Sequence, residues 1–326
     1  MRRRLMAAGI GAAVMGARVW AAQGPQSPWP TRPVRIIVPY PAGGGVDNLA
    51  RALARKLQER WGQPVTVDNR PGANTLIGTD LAAHATDGHT LLLTTDATFT
   101  INPLLYSKLP YQFERDFLPI SRMVSFSQLL VAHPSLPART LPELVALARR
   151  QPGQLSYASY GPGSQPQLAT EILKQKAGIF IVHVPYRGIP QALAAVVSGE
   201  VPLTWAGIPS STPYLRARRI KALAYGGRKR IAAFPEVPTV AEAGYGEIDA
   251  NVWVGMFAPR SMGPDLADRV HEEVVAVLQE PAFMAEEIEA KDYDLVAGTP
   301  QELRSHIRAE LKTREAPIRY SRAKAD

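Results

Sequence analysis

The sequence predicts an α/β protein of two domains, each a mostly parallel sheet flanked by helices. Three observations carry this. Short apolar runs of strand type alternate with helical periodicities over residues 34–95 and again over residues 129–225. The turns that follow several of these runs are rich in glycine, and one more strand-like run, residues 252–257, comes after the second series. A chain of 326 residues accommodates two ordinary domains, and 46% apolar with 20% charged residues is a globular composition.

In the first series, Val34–Val38 is a compact apolar strand. Leu49, Leu53, Leu57 and Trp61 then recur every four residues, predicting a helix that Gly62 closes. Residues 65–67 form the next strand, Asn69-Arg70-Pro71-Gly72-Ala73-Asn74 its turn, residues 77–85 a helix ending at Asp87-Gly88, and residues 91–93 a third strand. This is a βαβαβ unit with two glycine-containing loops at the carboxyl ends of neighbouring strands, the edge where open α/β sheets bind ligands. The second series starts at residues 129–131. Thr140 is placed to cap a helix through Glu143 and Leu147, and the stretch PGQLSYASYGPGS gives a short strand, a glycine-rich loop and Ser164 as cap of a helix holding Leu168, Ile172 and Leu173. Strands follow at 179–184, 201–205 and 220–225, with helical patterns at 190–198 and up to Arg216. After residues 252–257 only helical patterns and a short strand near Leu295 remain. If that tail packs on the first unit, the chain crosses between domains near Val131 and Val252. The expected division is 22–131 with 253–326 in one lobe and 132–252 in the other, hinged at the crossings.

Residues 1–21 read as a cleaved export signal. Three arginines precede an apolar stretch, and Val19 and Ala21 suit a cut before Ala22. The Arg2-Arg3 pair leaves twin-arginine export open beside the general secretory route. Removing this segment takes away four arginines and no acid, so the formal +8 becomes +4. No basic stripe with interleaved aromatics accompanies it, which argues against nucleic-acid binding. The basic cluster Arg216, Arg218, Arg219, Lys221 and 228–230 reads as a solvated face. With no cysteine the exported fold relies on its core. The six histidines lack metal-site spacing, so neither metal nor cofactor is expected, and no G-x-S-x-G or P-loop pattern occurs.

The stretch PYPAGGGVD, residues 39–47, ends a buried strand in prolines, three glycines and a carboxylate at a helix start. Glycines in series let a guest approach the backbone, and an anion at a helix N-terminus is a common guest. From these residues alone, a merely glycine-rich turn remains equally open.

The stretches WPTRPVRIIVPYPAGGGVDNLARALARKL, VDNRPGANTLIGTDLAAHATDGHTLLL, PGQLSYASYGPGS, HVPYRGIPQAL, FPEVPTVAEAGY and WVGMFAP, with the INPLLY, LPY and DFLPI run, resemble in order and spacing the periplasmic solute-binding proteins of tripartite tricarboxylate transporters, the Bug family. The resemblance implies a Venus-flytrap fold of two α/β lobes. It implies a monomer that holds a small carboxylated solute in the interlobe cleft and delivers it to the membrane permease subunits of such a transporter from the periplasm, without catalysis. It further implies a ligand-contacting set: Tyr40, Ala42, Gly43, Gly44, Asp47, Ala73, Asn74, Thr75 and Thr95 from the first lobe, and Ser159, Gly161, Ser164, Tyr186, Arg187 and Ala206 from the second. Backbone N–H groups of the loops at 41–47 and 71–77 would grip one carboxylate, with Asp47 bracing its loop. Tyr40, Tyr160, Tyr186 and Trp205 could favour an aromatic or apolar ligand body.

The chain departs from the family pattern at several of these positions. Gln167 stands where histidine is common, Arg187 where lysine is usual, Asn74-Thr75-Leu76 where a glycine-rich triplet is usual, and Ala206 where some members place an aspartate for a ligand ammonium. Ala206 therefore leads to the expectation that amino acids bind poorly. Two other readings stay open on the residues: an exported hydrolase using Ser159 or Ser164, and a sensor that presents its ligand-bound form to a receptor kinase.

Overall fold

The computed structural model describes residues 29–248 and 250–321. The expected export signal at 1–21 lies outside the described residues. The first series is β1 (Val34–Val38), α1 (Gly45–Trp61), β2 (Val65–Asn69), α2 (Leu76–Ala83) and β3 (Thr90–Thr95). Two single turns, α3 (Asn102–Leu105) and α4 (Phe113–Asp116), lead into the long β4 (Phe117–Ala132). The second series is α5 (Leu141–Arg150), β5 (Ser156–Ser159), α6 (Gln165–Ala177), β6 (Val182–Pro185), α7 (Ile189–Ser198), β7 (Leu203–Gly207), α8 (Ile208–Arg216) and β8 (Lys221–Tyr225). The chain returns through β9 (Asn251–Pro259), α9 (Pro264–Leu278), the turn α10 (Pro281–Phe283), β10 (Asp294–Leu295) and α11 (Pro300–Ser321).

Local chemistry accounts for these elements. All six residues of β3 are buried, as a strand covered on both faces requires, so its sequence is an unbroken run instead of an alternation. Helix α1 buries Leu49, Leu53 and Leu57 on one stripe and ends where Gly62 turns left-handed at φ 64°. Thr140 Oγ1 accepts from the Glu143 N–H, the predicted cap of α5. Ser164 occupies the cap position of α6 without capping it; its hydroxyl donates instead to the Gly161 carbonyl at 2.6 Å.

Strand β1 runs parallel to β2 and β3, and β5 parallel to β6 and β7. Between these parallel trios lie β9 and β4, antiparallel to their neighbours. The overall order is β2-β1-β3-β9-β4-β7-β5-β6, with β8 and β10 also on β4. Over Phe117–Ser127, β4 pairs with β9; over Gln128–Ala132 it pairs with β7. One strand thus belongs to both half-sheets. Sequence reading recovered only its last few residues, because Pro119, two bulges and the polar Ser121, Arg122, Ser125, Ser127 and Gln128 interrupt any regular alternation.

The interior is divided to match, giving a two-lobed α/β fold. The first lobe packs Ile36, Leu53, Leu91 and Val254 against Val270 and Val274 of α9. A second cluster fills its other face with Phe99, Trp253 and Phe257 against Leu303 and Ile307 of α11. The C-terminal tail therefore completes the first lobe's core. The second lobe has a cluster on each face of its half-sheet, one around Leu130, Tyr157 and Trp205, the other around Leu129, Ala158, Val196 and Ala206. No helix among the described residues is long and apolar enough to cross a membrane.

Candidate functional site

A cavity of about 1040 Å³ lies between the lobes at the carboxyl ends of the parallel strands. Its first-lobe wall is the loop after β1, the loop before α2, and Thr95. The second-lobe wall comes from 160–162, 185–191 and the start of α8, and Phe126 and Gln128 of β4 with Val252 of β9 span the base. Strand alternation sets that base: Phe126 and Gln128 face the cavity, while Ser127 and Asn251 face a groove on the opposite side.

Four helices begin at this cavity: α1 from Gly44, α2 from Thr75, α7 from Gly188 and α8 from Gly207, all lining residues. None of the four carries a side-chain cap. Each presents orphan N–H groups and a partial charge of about +0.5. Among the described residues Arg187 is the one charged side chain on the cavity wall, and there it is exposed and has no ion pair. Among the described residues no carboxylate lines the site, so its electrostatics favour an anion from both lobes.

The rest of the wall is aromatic and apolar: Tyr40, Tyr106, Phe126, Tyr160, Tyr186 and Tyr293, with Val46, Ile189 and Val252. The Tyr40 hydroxyl meets Thr95 Oγ1 at 2.8 Å, and burial pushes its ionisation up to about 12. Tyr186 donates to Glu200 at 2.8 Å and is raised to about 12 by burial and that carboxylate. Burial raises Tyr160 as well. These phenols remain neutral hydrogen-bonding groups at neutral pH. Behind Thr95, Asp96 pairs with Arg314 of α11 at 2.5 Å, both buried, tying the tail helix to the cavity's back wall.

Of the residues expected to contact ligand, Tyr40, Gly44, Ala73, Asn74, Thr75, Thr95, Gly161, Tyr186 and Arg187 line the cavity. Ala73, Asn74 and Thr75 do so at φ 44°, 46° and 77°. Left-handed backbone costs a residue with a side chain about 1–2 kcal/mol, and such strain gathers at binding loops. Ala42, Gly43, Asp47, Ser159, Ser164 and Ala206 do not line the cavity. Asp47 is 1% exposed and braces its loop: Oδ2 accepts from the Gly43 N–H and Arg51 Nε, both at 2.9 Å, and Oδ1 from Asn69 Nδ2 at 2.9 Å. Burial opposes its ionisation, but these three donors outweigh it and hold the carboxyl below its ordinary range. The bond to Asp47 consumes the Gly43 N–H, which leaves the next amides of the loop as donors.

Ser159 and Ser164 are fully buried and tie the 159–164 loop to itself through the Gly161 carbonyl and N–H. Ser159 Oγ also lies 2.6 Å from His183 Nε2, a serine–histidine pairing that spacing did not reveal, and neither residue lines the cavity. Trp205 and Ala206 alternate into the two apolar faces of the second lobe, so neither reaches the cleft; the position that does is Gly207. Ala206→Asp would place a carboxylate among Leu129, Ala158 and Val196. It is expected to lower stability by about 2–3 kcal/mol, read as a reduced midpoint in thermal or urea unfolding, without conferring amino-acid binding. A variant as stable as the parent that gains amino-acid affinity would contradict this placement.

Sequence reading missed Tyr106, Phe126, Gln128, Gly188 to Gln191, Gly207, Pro209, Ser210, Val252 and Tyr293. A signal for two of these groups was present: Gly188-Ile189-Pro190 and Gly207-Ile208-Pro209 each put glycine before a proline at the first helical turn, the pattern of a helix start.

The family model described as "Tripartite tricarboxylate transporter family receptor" matches residues 49–322. Protein BugT of Bordetella pertussis is 35% identical over 298 residues, 91% of each chain. The structure of R. palustris Rpa4515 with adipate aligns with a TM-score of 0.87 at 31% identity, covering 91% of this chain and 99% of that one. The periplasmic binding protein BugD aligns with a TM-score of 0.85 at 27% identity, covering 91% and 99%.

Proposed function

Since the chain belongs to the tripartite tricarboxylate transporter receptor family, we propose that it captures a small organic carboxylate between its lobes and passes it to a separate membrane permease. The observation that carries this reading is the convergence of four uncapped helix N-termini and of Arg187, without an ion pair among the described residues, on a cleft whose described wall holds no carboxylate. A solute bound by both walls favours the closed arrangement by its differential affinity, so capture and closure are one event. The adipate held by Rpa4515 supports a carboxylate as the solute class. In this reading the lobes divide at the crossings near Val131 and Val252, the protein acts as a monomer by binding alone, and residues 1–21 direct export to the periplasm.

Native mass spectrometry of protein recovered from the periplasmic fraction tests these points together. The expected spectrum shows a monomer lacking about residues 1–21 and carrying an additional mass that a carboxylic acid accounts for. Calorimetry with a panel of mono- and dicarboxylates should then give at least one dissociation constant in the micromolar range or below. A panel that gives no heat, with protein that is folded and free of retained solute, would overturn the reading.

A further inference from the structure

Strands β4 and β9 separate two cavities. Phe126, Gln128 and Val252 face the cleft, while Ser127 and Asn251 face the groove behind it, a space of about 1380 Å³. Rotation of the lobes about these strands narrows one cavity as it widens the other. The structure shows the closed side of this motion, with Gly163 packed on Leu105 and Asn74, and Gly188 on Pro41, across the cleft. The rear groove is therefore at its wide extreme, and opening the cleft brings its walls together.

Those walls are oppositely charged. Glu289, Asp292, Asp294 and Glu310 line the first-lobe wall, and among the described residues no lysine or arginine joins them there. Lys176, Arg228, Lys229 and Arg230 line the second-lobe wall with a single described carboxylate, Glu247. Whole lobes follow the same division: residues 132–252 carry thirteen lysines and arginines against seven acids, and the rest of the chain from residue 22 carries twenty against twenty-two. None of the ion pairs among the described residues bridges the groove. Arg228 and Arg230 turn to Glu247 and Glu242 of their own lobe, and Glu310 to Arg314 and His306 of its own. Lys229, Asp292 and Asp294 have no ion pair among the described residues. The opposite charges nevertheless sense one another. Burial raises the Asp292 carboxyl, and Arg216 at the end of α8 opposes that shift from the other lobe. Tyr225 of β8 is pushed up to about 12, by burial first and then by the carboxylates of Asp294 and Asp292.

We propose that Asp292 and Asp294 of the first lobe and Arg216 and Lys229 of the second set the affinity of the cleft from behind, by attracting one another most strongly when the cleft is open. None of the four lines the cleft, so they act by positioning the lobes and not by touching solute. Closure works against their attraction, and the apparent affinity lies below that of the closed site by the fraction of protein held open. The proposal concerns the strength of capture and rests on the hinge of the reading above.

Small-angle scattering of the unliganded protein and calorimetry with adipate test it on charge-altered variants. Asp292→Asn/Asp294→Lys changes the first wall, asparagine suiting the left-handed backbone at φ 53°. Arg216→Glu/Lys229→Glu changes the second. Each pair is expected to contract the unliganded protein relative to wild type and to tighten adipate binding about three- to tenfold. In the second pair this gain runs against the direct effect of removing cations, which weakens the capture of an anion. Combining all four substitutions restores an attraction of reversed polarity, so the radius should return to the wild-type value and the affinity to within about twofold of it. Unchanged radii with unchanged or weaker binding in the second pair overturn the proposal, and so do effects that add up in the combined variant. Should a variant fail to fold, the wild type decides: raising sodium chloride from about 20 mM to about 500 mM screens the walls and should contract the unliganded protein, and a constant radius overturns the proposal. Wild type that binds adipate without contracting removes the hinge and this inference together. Wild type that binds no carboxylate counts against the carboxylate reading, and the scattering of the unliganded forms still decides this one.

Discussion

Arg187→Glu is expected to weaken carboxylate binding by about a hundredfold or more, with little change in stability. Arg187 is exposed and has no ion pair among the described residues, so the fold does not depend on its charge. For the solute the position matters doubly, since among the described residues it is the one charged side chain on the cavity wall. Losing a charge-assisted hydrogen bond costs about 1.5–3 kcal/mol, and glutamate adds repulsion in a cleft that shields it from water once closed. Calorimetry and thermal unfolding side by side check the result. Arg187→Gln should fall between wild type and Arg187→Glu, because an amide still donates while carrying no charge. Unchanged affinity in Arg187→Glu would mean that the helix N-termini hold the carboxylate without help.

Gly188→Val is expected to cost a further large factor, about a hundredfold in affinity, by preventing closure. Gly188 has φ −179° and ψ 173°, extended backbone that any residue adopts, so its glycine identity has no conformational reason. The reason is proximity. A Cβ at this position would lie 2.5 Å from Cγ and 2.9 Å from Cδ of Pro41, across the cleft on the other lobe. The proline ring cannot swing aside, so the lobes themselves must separate, and overpacking a tight contact costs about 1–3 kcal/mol. That cost falls on the closed state alone. Small-angle scattering should show wild type contracting with a saturating carboxylate while Gly188→Val keeps its larger radius, and Gly188→Ala should show a milder version. Full affinity with full contraction in the valine variant would show that this contact is not part of the bound state. Gly163 is a less clean test, because its φ of 75° mixes backbone strain with its approach to Leu105.

Much of the fold was determined locally. A strand such as β3 and a helix such as α1 are set by runs and periodicities inside windows of a few residues, and caps such as Gly62 and Thr140 act on the next turn. The loops after β1 and β5 announced themselves by their glycines, and with them Tyr40, Gly44 and Gly161 of the cavity wall. Asp47 as a brace was also legible, since a carboxylate in the first turn of a helix finds nearby N–H groups whatever the rest of the chain does.

What only the tertiary structure decided are the relations between distant segments. Phe126 and Val252 meet at the cavity base because β4 and β9 pair side by side over more than a hundred residues of intervening chain, and Tyr293 joins them because β10 pairs with β4; no local pattern encodes either pairing. The direction of a side chain on a buried strand is likewise invisible when both faces are apolar: the pleat sends Trp205 and Ala206 into separate cores, and Gly207 reaches the cleft because it ends β7 and begins α8. Gly188 shows its purpose only when Pro41 is seen opposite it. Periodicity along the chain reports which residues are buried, while the site depends on which buried and exposed groups face one another, and that is settled by the packing of the two lobes.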